Sequence, residues 1–312
     1  MKENIILPSK FKARYHALLG RENKRFLKYC RIPLRRAIRV NRFKITREEC
    51  VSRLKEEGFV LKSIPWNKWG FWVEDKRDVA LGNTPEHFLG YFYVQEASSM
   101  IPALVLGAKE EETVLDVCAA PGSKTTQMAE MMENTGLVVA NDTNISRIKA
   151  LRYNLDKGGV VNTIVTRMDG AKLNRCGIEF DRVLVDAPCS CEGTVRKDWK
   201  VLSHWSEPLI FNLSRLQKHI VLNAVQCLKS GGVLVYSTCT LAPEENEGVV
   251  SYLLDKVKGL SVERIEVDGL KTREGVLEWQ GERFSEDVRD CARIYPQDND
   301  SEGFFVAKIK KE

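Results

Sequence analysis

Two cysteines stand where a fold of alternating strands and helices would present its chemistry. Cys189 lies in Asp186-Ala-Pro-Cys-Ser-Cys191-Glu-Gly193, just after the apolar run Arg182-Val-Leu-Val185. Cys239 lies in Ser237-Thr-Cys-Thr240, just after Val233-Leu-Val-Tyr236. Both runs read as buried strands that should be near neighbours, so the two thiols are expected to face one pocket. Metal spacing is missing. One residue separates Cys189 from Cys191, where a zinc knuckle has roughly two to four. None of His16, His87, His204 and His219 has a glutamate two positions on, as a zinc deaminase would. No metal is therefore expected. Cys30, Cys50, Cys176, Cys227 and Cys291 read as buried small hydrophobes.

Other strand ends are loaded too. After Thr113-Val-Leu-Asp-Val117 comes Cys118-Ala119-Ala120-Pro121-Gly122-Ser123-Lys124. Small residues there let a backbone approach a ligand. Ser123 precedes the lysine and Gly122 stands alone, so neither a P-loop nor a dinucleotide fingerprint is present. A nucleoside without a pyrophosphate fits, and so does a plain tight turn. Asp142 follows the second strand, where a ribose diol is gripped in nucleotide-binding sheets; it can equally cap the next helix. Arg147 lies one turn further. Asp169-Gly170 after the third strand suits an adenine amino group or a turn.

These positions require a particular scaffold. Strands at 113–117, 137–140, 162–168, 182–185 and 233–236 alternate with helices at 123–133, 145–157 and 207–229, the last stopped by Gly231-Gly232. Pro243 with Glu244, Glu245 and Glu247 opens a further helix, and strands near 261–267 and 304–309 finish the chain. The pattern predicts an α/β fold: a parallel sheet with helices on both faces and ligands beyond the strands' carboxyl ends. Ahead of it, residues 1–94 read as a smaller α+β domain, helical to about residue 30, with a strand at Ala37–Asn41 and a helix opened by Thr46. The division falls between domains 1–94 and 95–312.

In combination, Leu115-Asp-Val-Cys-Ala-Ala-Pro-Gly-Ser-Lys124, Asp186-Ala-Pro-Cys-Ser190 and Tyr236-Ser-Thr-Cys239 resemble the RNA 5-methylcytosine methyltransferases of the NOL1/NOP2/Sun (RsmB-like) family. Arg39-Val-Asn41, Gln95-Glu-Ala-Ser-Ser99 and Gly303-Phe-Phe-Val-Ala307 look like family segments as well. The likeness covers about residues 31–310. It implies a Rossmann-like class I methyltransferase sheet, an N-terminal RNA-binding extension and S-adenosylmethionine as cofactor. By matching motif, Cys118 to Lys124 would wrap the methionine part, Asp142 and Arg147 the ribose site, and Asp169 the adenine. Asp186 would lie between cofactor and base, Cys239 would be the nucleophile, and Cys189 would assist product release. In the rival assignment Cys189 attacks. Two departures stand out: Cys191 where a glycine is common, and Gln297 after Pro296 where a histidine is common.

The implied chemistry needs two thiols. A thiolate adding to carbon 6 of cytosine makes carbon 5 nucleophilic toward the sulfonium methyl, and a second group then takes the carbon-5 proton. A free thiol is mostly protonated at neutral pH, so Lys124, Lys197 or the helix N-terminus after Pro243 is expected to lower its pKa.

Charge supports an anionic partner. Residues 1–47 hold 15 Lys/Arg against 2 Asp/Glu, and residues 48–312 hold 33 against 41. A basic head on an acidic body predicts RNA binding, with Phe11, Tyr15, Phe26, Tyr29 and Phe43 available to stack on bases or to anchor the fold. Within the family the compact size suits tRNA better than ribosomal RNA. A non-catalytic RNA-binding assembly factor is the alternative, opposed by the presence of Cys189, Cys239 and Asp186 together. The polarised charge argues against a small-molecule methyltransferase. The composition is that of a globular chain: 43% hydrophobic, 29% charged, with nine cysteines. The odd, scattered cysteine count points to a reducing, cytoplasmic setting. No apolar run is long enough for a membrane, and the patch before Pro8 is too short for a signal peptide. Nothing demands more than a monomer.

Overall fold

The computed structural model describes residues 6–75 and 80–312, so Met1–Ile5, the start of the N-terminal patch, fall outside it. Helices α1 (Ser9–Leu19) and α2 (Asn23–Tyr29) open the chain. Strands β1 (Arg36–Val40), β2 (Phe59–Ile64), β3 (Asn67–Asp75) and β4 (Phe92–Val94) form an antiparallel sheet ordered β2-β3-β1-β4. Helix α3 (Arg47–Glu56) packs on it through Cys50 and Leu54, against Ile38, Val40 and Phe71. The Thr46 hydroxyl caps α3 by accepting from the Glu49 amide at 3.2 Å, with Glu48 and Glu49 at the positive end of the dipole. A single turn, α4 (Pro85–Phe88), precedes β4.

The larger unit begins with α5 (Ile101–Leu106), ended by Gly107 in the left-handed conformation. It continues as β5 (Thr113–Asp116), α6 (Ser123–Met131), β6 (Leu137–Asn141), α7 (Ile145–Gly158), β7 (Thr163–Thr166) and β8 (Phe180–Asp186). Then come α8 (Val201–His204), α9 (Glu207–Ala224), β9 (Leu228–Thr238), α10 (Glu247–Lys256) and β10 (Leu260–Glu263). A short hairpin of β11 (Glu278–Trp279) and β12 (Glu282–Arg283) leads to β13 (Ala292–Ile294), α11 (Pro296–Asn299) and β14 (Phe304–Lys311). The sheet runs β10-β14-β9-β8-β5-β6-β7, with β13 beside β14.

Side chains alternate between two apolar layers, as a sheet covered on both faces requires. Val183, Val185, Leu234 and Tyr236 face one core; Leu184, Val233 and Val235 face the other. The expected parallel pairing holds from β7 to β9. Beyond β9 it does not, because β14, β10 and β13 pair antiparallel. A short return by way of α11 carries β13 into β14, so no crossover helix is needed there.

Two readings of local structure are corrected, and one left open is decided. The helix over 207–229 stops at Ala224, and Gly231-Gly232 lie inside β9, where residues 229–232 loop out between the pairs Phe180–Leu228 and Arg182–Val233. Gly231 has φ 75°, which relieves that bend. The helix expected at Pro243 starts only at Glu247, and the acids before it make tertiary contacts instead. Lastly, α1 and α2 pack on the larger unit. Phe11, Tyr15 and Phe26 are buried with Val195, Leu202 and Leu241, so these rings anchor the fold and offer no face to a base. Tyr29 and Phe43 are half-buried.

Candidate active site

The sheet order reverses at β5, between β6 on one side and β8 on the other, and a crevice opens beyond the strand ends there. It is a cleft of about 660 Å³. Cys118, Ala119, Ala120, Pro121, Ser123 and Lys124 line it. So do Asp142, Arg147, Asp169, Asp186, Cys189 and Cys239. Gly122 is the one expected residue outside the lining. It shapes the turn instead: its φ is 107°, and a Cβ there would sit 2.9 Å from Leu151 Cδ1.

One end of the cleft is built from backbone and carboxylates. Asp142 Oδ2 accepts from the Ala120 amide at 3.3 Å, and Oδ1 accepts from the Asn144 amide at 2.9 Å. The Arg147 guanidinium lies 3.4 Å from Asp142 and also donates to the Ala120 carbonyl, clamping the turn onto β6. Asn144, not Asp142, caps α7, accepting from Ser146 and Arg147. Asp169 accepts from the Ala171 amide at 3.0 Å, so it makes its turn and borders the cleft as well. Asp116 accepts from the Thr125 hydroxyl at 2.7 Å while its Oδ1 is buried without a partner. Burial pushes this carboxyl up to about 7. The Cys118 thiol is likewise raised by burial and stays neutral.

The other end carries the thiols. Pairing of Asp186 with Ser237 in the β8–β9 ladder sets the two following turns side by side. Cys189 and Cys239 then meet with sulfurs 3.3 Å apart. Cys191 completes a cluster whose three sulfurs lie within 4.8 Å of one another. The Cys191 thiol hydrogen-bonds the Cys189 carbonyl at 3.3 Å. Lys124 Nζ bridges Asp186 at 2.7 Å and Ser99 at 3.0 Å, and Ser237 donates to the other Asp186 oxygen at 2.8 Å.

The expected lowering of the nucleophile's pKa is not what the cluster does. Hydrogen bonds from Cys189 and then Cys239 bring Cys191 down to about 3, helped by Lys197 and Arg147. Hydrogen bonding within the cluster and burial leave Cys189 and Cys239 raised. Of the three thiols, Cys191 is thus the one whose surroundings favour the charged form. No helix dipole takes part: the turn after Pro243 presents Glu245, which accepts from the Ser190 amide at 2.9 Å and from its hydroxyl. Burial raises Glu245 to about 7.

Supports come from distant parts of the chain. Glu192, fully buried, accepts from Tyr15 at 2.6 Å, Trp205 at 2.6 Å and Thr240 at 3.0 Å. Arg14 forms a buried pair with Glu244. Arg39 of β1 donates to the Ser123 carbonyl at 2.8 Å and to Thr126 and Glu130 at 2.9 Å, joining the head sheet to α6. Ser99, Asp116, Glu302 and Phe304 also border the cleft and were not assigned from the sequence. Ser99 and Phe304 belong to segments that resembled the family but lacked a legible chemical role. Cys30, Cys50, Cys227 and Cys291 are buried as expected, whereas the Cys176 side chain lies outside what is described.

The sheet order and this cleft define a class I S-adenosylmethionine-dependent methyltransferase. Residues 103–310 match the family described as 16S rRNA methyltransferase RsmB/F, and residues 7–97 match the N-terminal domain of 16S rRNA methyltransferase RsmF. The chain belongs to this family, within the NOL1/NOP2/Sun group. It is 48% identical to the tRNA (cytosine(49)-C(5))-methyltransferase of Pyrococcus abyssi over 93% of this chain and 92% of that one. It is 43% identical to the ribosomal RNA small subunit methyltransferase F of Vibrio vulnificus, spanning 65% of that protein's length and all of its own. Among solved structures, a methyltransferase homolog from Pyrococcus horikoshii superposes with a TM-score of 0.88 at 35% identity, covering 99% of this chain and 96% of that one. NSun6 from the same organism, crystallised with the S-adenosylmethionine analogue SFG, gives 0.86 at 27% identity, covering 97% and 98%.

Proposed function

We propose that the protein methylates carbon 5 of a cytosine in tRNA, with Cys239 as the attacking nucleophile. The observation that carries this reading is the pair of sulfurs 3.3 Å apart lining a nucleoside-sized cleft, along with the Lys124–Asp186 ion pair. The cleft suits S-adenosylmethionine. Asp142 would take the ribose hydroxyls, Asp169 the adenine edge, and the unpartnered Asp116 oxygen a donor from the methionine part. When bound, this cofactor supplies an electrophilic methyl group.

The chain's own groups do the rest. Cys239 gives up its proton through the thiol cluster to solvent as the base docks, and the freed sulfur adds to carbon 6 of the base. Asp186, held by Lys124 and Ser237, accepts from the exocyclic amine and orients the ring. After methyl transfer a water oriented by Cys189 takes the carbon-5 proton out to solvent, and the bond from Cys239 to carbon 6 breaks. Residues 1–94 supply backbone contacts to the RNA while 95–312 carry the chemistry. The tRNA relative is supported by coverage of nearly its whole length. Ribosomal RNA remains the second reading, favoured by the names of the Vibrio relatives.

The test uses purified protein, radiolabelled cofactor and tRNA beside ribosomal RNA, with bisulfite sequencing to locate the product. Cys239→Ala is expected to abolish transfer and leave cofactor binding nearly intact. Cys189→Ala is expected to accumulate a denaturant-resistant protein–RNA adduct that disappears when Cys239 is also replaced. Retained turnover in Cys239→Ala overturns the assignment, and an adduct trapped in that variant transfers the nucleophile's role to Cys189.

A further inference from the structure

Glu302 lies two residues before the start of β14 and borders the cleft, yet it is 3% exposed. Its Oε1 is buried without a hydrogen-bond partner; the nearest cation, Lys197 Nζ, is 3.8 Å away, beyond hydrogen-bond reach. A buried carboxyl left unsatisfied beside an active site calls for an explanation. Its position is tightly specified. The Gly303 amide donates to the Gly193 carbonyl at 3.0 Å, and the Gly193 amide donates to the Cys239 carbonyl at 2.9 Å. A Cβ on Gly193 would fall 2.0 Å from the Gly303 carbonyl oxygen. The two glycines therefore bring the backbone before β14 into contact with both cysteine-bearing turns, and Glu302 comes with it.

We propose that the Glu302 carboxyl donates a hydrogen bond to ring nitrogen N3 of the target cytosine while Asp186 accepts from its exocyclic amine. This rests on the reading of the site as a cytosine methyltransferase. The two acids form a donor and an acceptor, matching the amine and bare N3 of cytosine and opposing the carbonyl and N3–H of uracil. A site built on such a pattern rejects the wrong base strongly, because buried polar groups are left unpaired.

The same proton assists the chemistry. When the Cys239 thiolate bonds to carbon 6, the electron pair of the C5–C6 double bond shifts toward C4 and N3. N3 takes the Glu302 proton, leaving a carboxylate. Carbon 5 then gains the methyl group and loses its proton to a water oriented by Cys189. The sulfur–carbon bond breaks, the C5–C6 double bond returns, and N3 gives its proton back to Glu302.

The surroundings keep Glu302 protonated beforehand. Glu96 faces it from the segment before α5, accepting from Ser98 and Ser99 while its other oxygen accepts from the Glu302 amide at 3.2 Å. Cys191 and Lys197 face it from the loop after β8, and Lys124 from α6. Burial first and Glu96 second push Glu302 up to about 8.

The experiment compares wild type, Glu302→Gln and Glu302→Ala in single-turnover methylation of tRNA between pH 6 and pH 10, with cofactor binding measured in parallel. Wild-type rates are expected to fall above about pH 8 as the donor is lost. Glu302→Gln keeps an N–H donor but no titratable proton, so it should run about tenfold slower at neutral pH and lack that alkaline fall. Glu302→Ala should lose about a hundredfold in rate with cofactor affinity unchanged. Should the alanine variant not fold, the glutamine profile decides alone. Wild-type rates or an unaltered alkaline limb in Glu302→Gln overturn the proposal while the cytosine reading stands. Absence of methyl transfer by the wild type overturns that reading and this assignment with it.

Discussion

At the scale of single residues, Cys191 departs furthest from ordinary chemistry. It sits at φ 58°, in the left-handed region that favours glycine. Holding a non-glycine residue there costs about 1–2 kcal/mol. Its surroundings, hydrogen bonds from Cys189 and Cys239 first, pull the thiol down from its ordinary range. Two effects of Cys191→Gly follow. Stability to urea should rise by about 1 kcal/mol, as the left-handed strain is relieved. Reactivity should also change, because hydrogen bonds within the cluster lower the Cys191 thiol whereas Cys189 and Cys239 are raised. At pH 5 the wild-type cleft is alkylated by iodoacetamide through Cys191, and the glycine variant is not. Equal labelling of both proteins at pH 5, read by mass spectrometry, would show that the charge resides elsewhere.

At the scale of elements, α1 is a brace for the two cysteine-bearing turns. Its Tyr15 hydroxyl reaches 177 residues along the chain to Glu192, which also holds Trp205 and Thr240. That one carboxylate ties α1, the loop after β8 and the turn after β9 together. Tyr15→Phe removes a donor from a buried acid without changing the packing of the ring, at an expected loss of about 1–3 kcal/mol in urea unfolding. Methylation by Tyr15→Phe should slow with cofactor affinity nearly unaltered, since the end of the cleft proposed for the cofactor is braced by Arg147 and Asp142 instead. A loss of cofactor binding equal to the loss of rate would refute this division of labour.

At the scale of the whole molecule, the head's basic charge divides into two populations. Arg14 and Arg39 are buried in ion pairs with Glu244 and Glu130, so they tie the head to the larger sheet's elements and meet no phosphate. Lys10, Lys12, Lys24, Lys28 and Arg31 are exposed on and just beyond α1 and α2. Release of counterions by this second group predicts RNA affinity that falls steeply with salt. Replacing Lys10, Lys12, Lys24 and Lys28 with glutamine should weaken binding and reduce the slope of log K against log salt by about 3–4. A filter-binding titration in which the slope is unchanged places the RNA on another face. No helix among the described residues is long and apolar enough to cross a membrane.

Much of this organisation was legible in the order of residues. Alternating apolar runs located β5 to β9 because strands buried on both faces must be apolar throughout, and the ends of such strands are where ligands bind. Cys118 to Lys124, Asp142, Asp169, Asp186, Cys189 and Cys239 could be marked from local pattern and family resemblance. What local pattern could not reveal was partnership across long separations. Tyr15 with Glu192, Arg39 with Glu130, and Glu302 beside Glu96 and the cysteine turns are separated by 177, 91 and 206 residues between hydrogen-bonded partners. An aromatic among lysines looks the same whether it stacks on a base or fills a core, and a glutamate after a proline looks like a helix start wherever its carboxyl goes. Protonation was undecidable for the same reason. Burial and neighbouring charge set which of three thiols is ionised and which carboxyls stay neutral, and those surroundings exist only once the chain has folded.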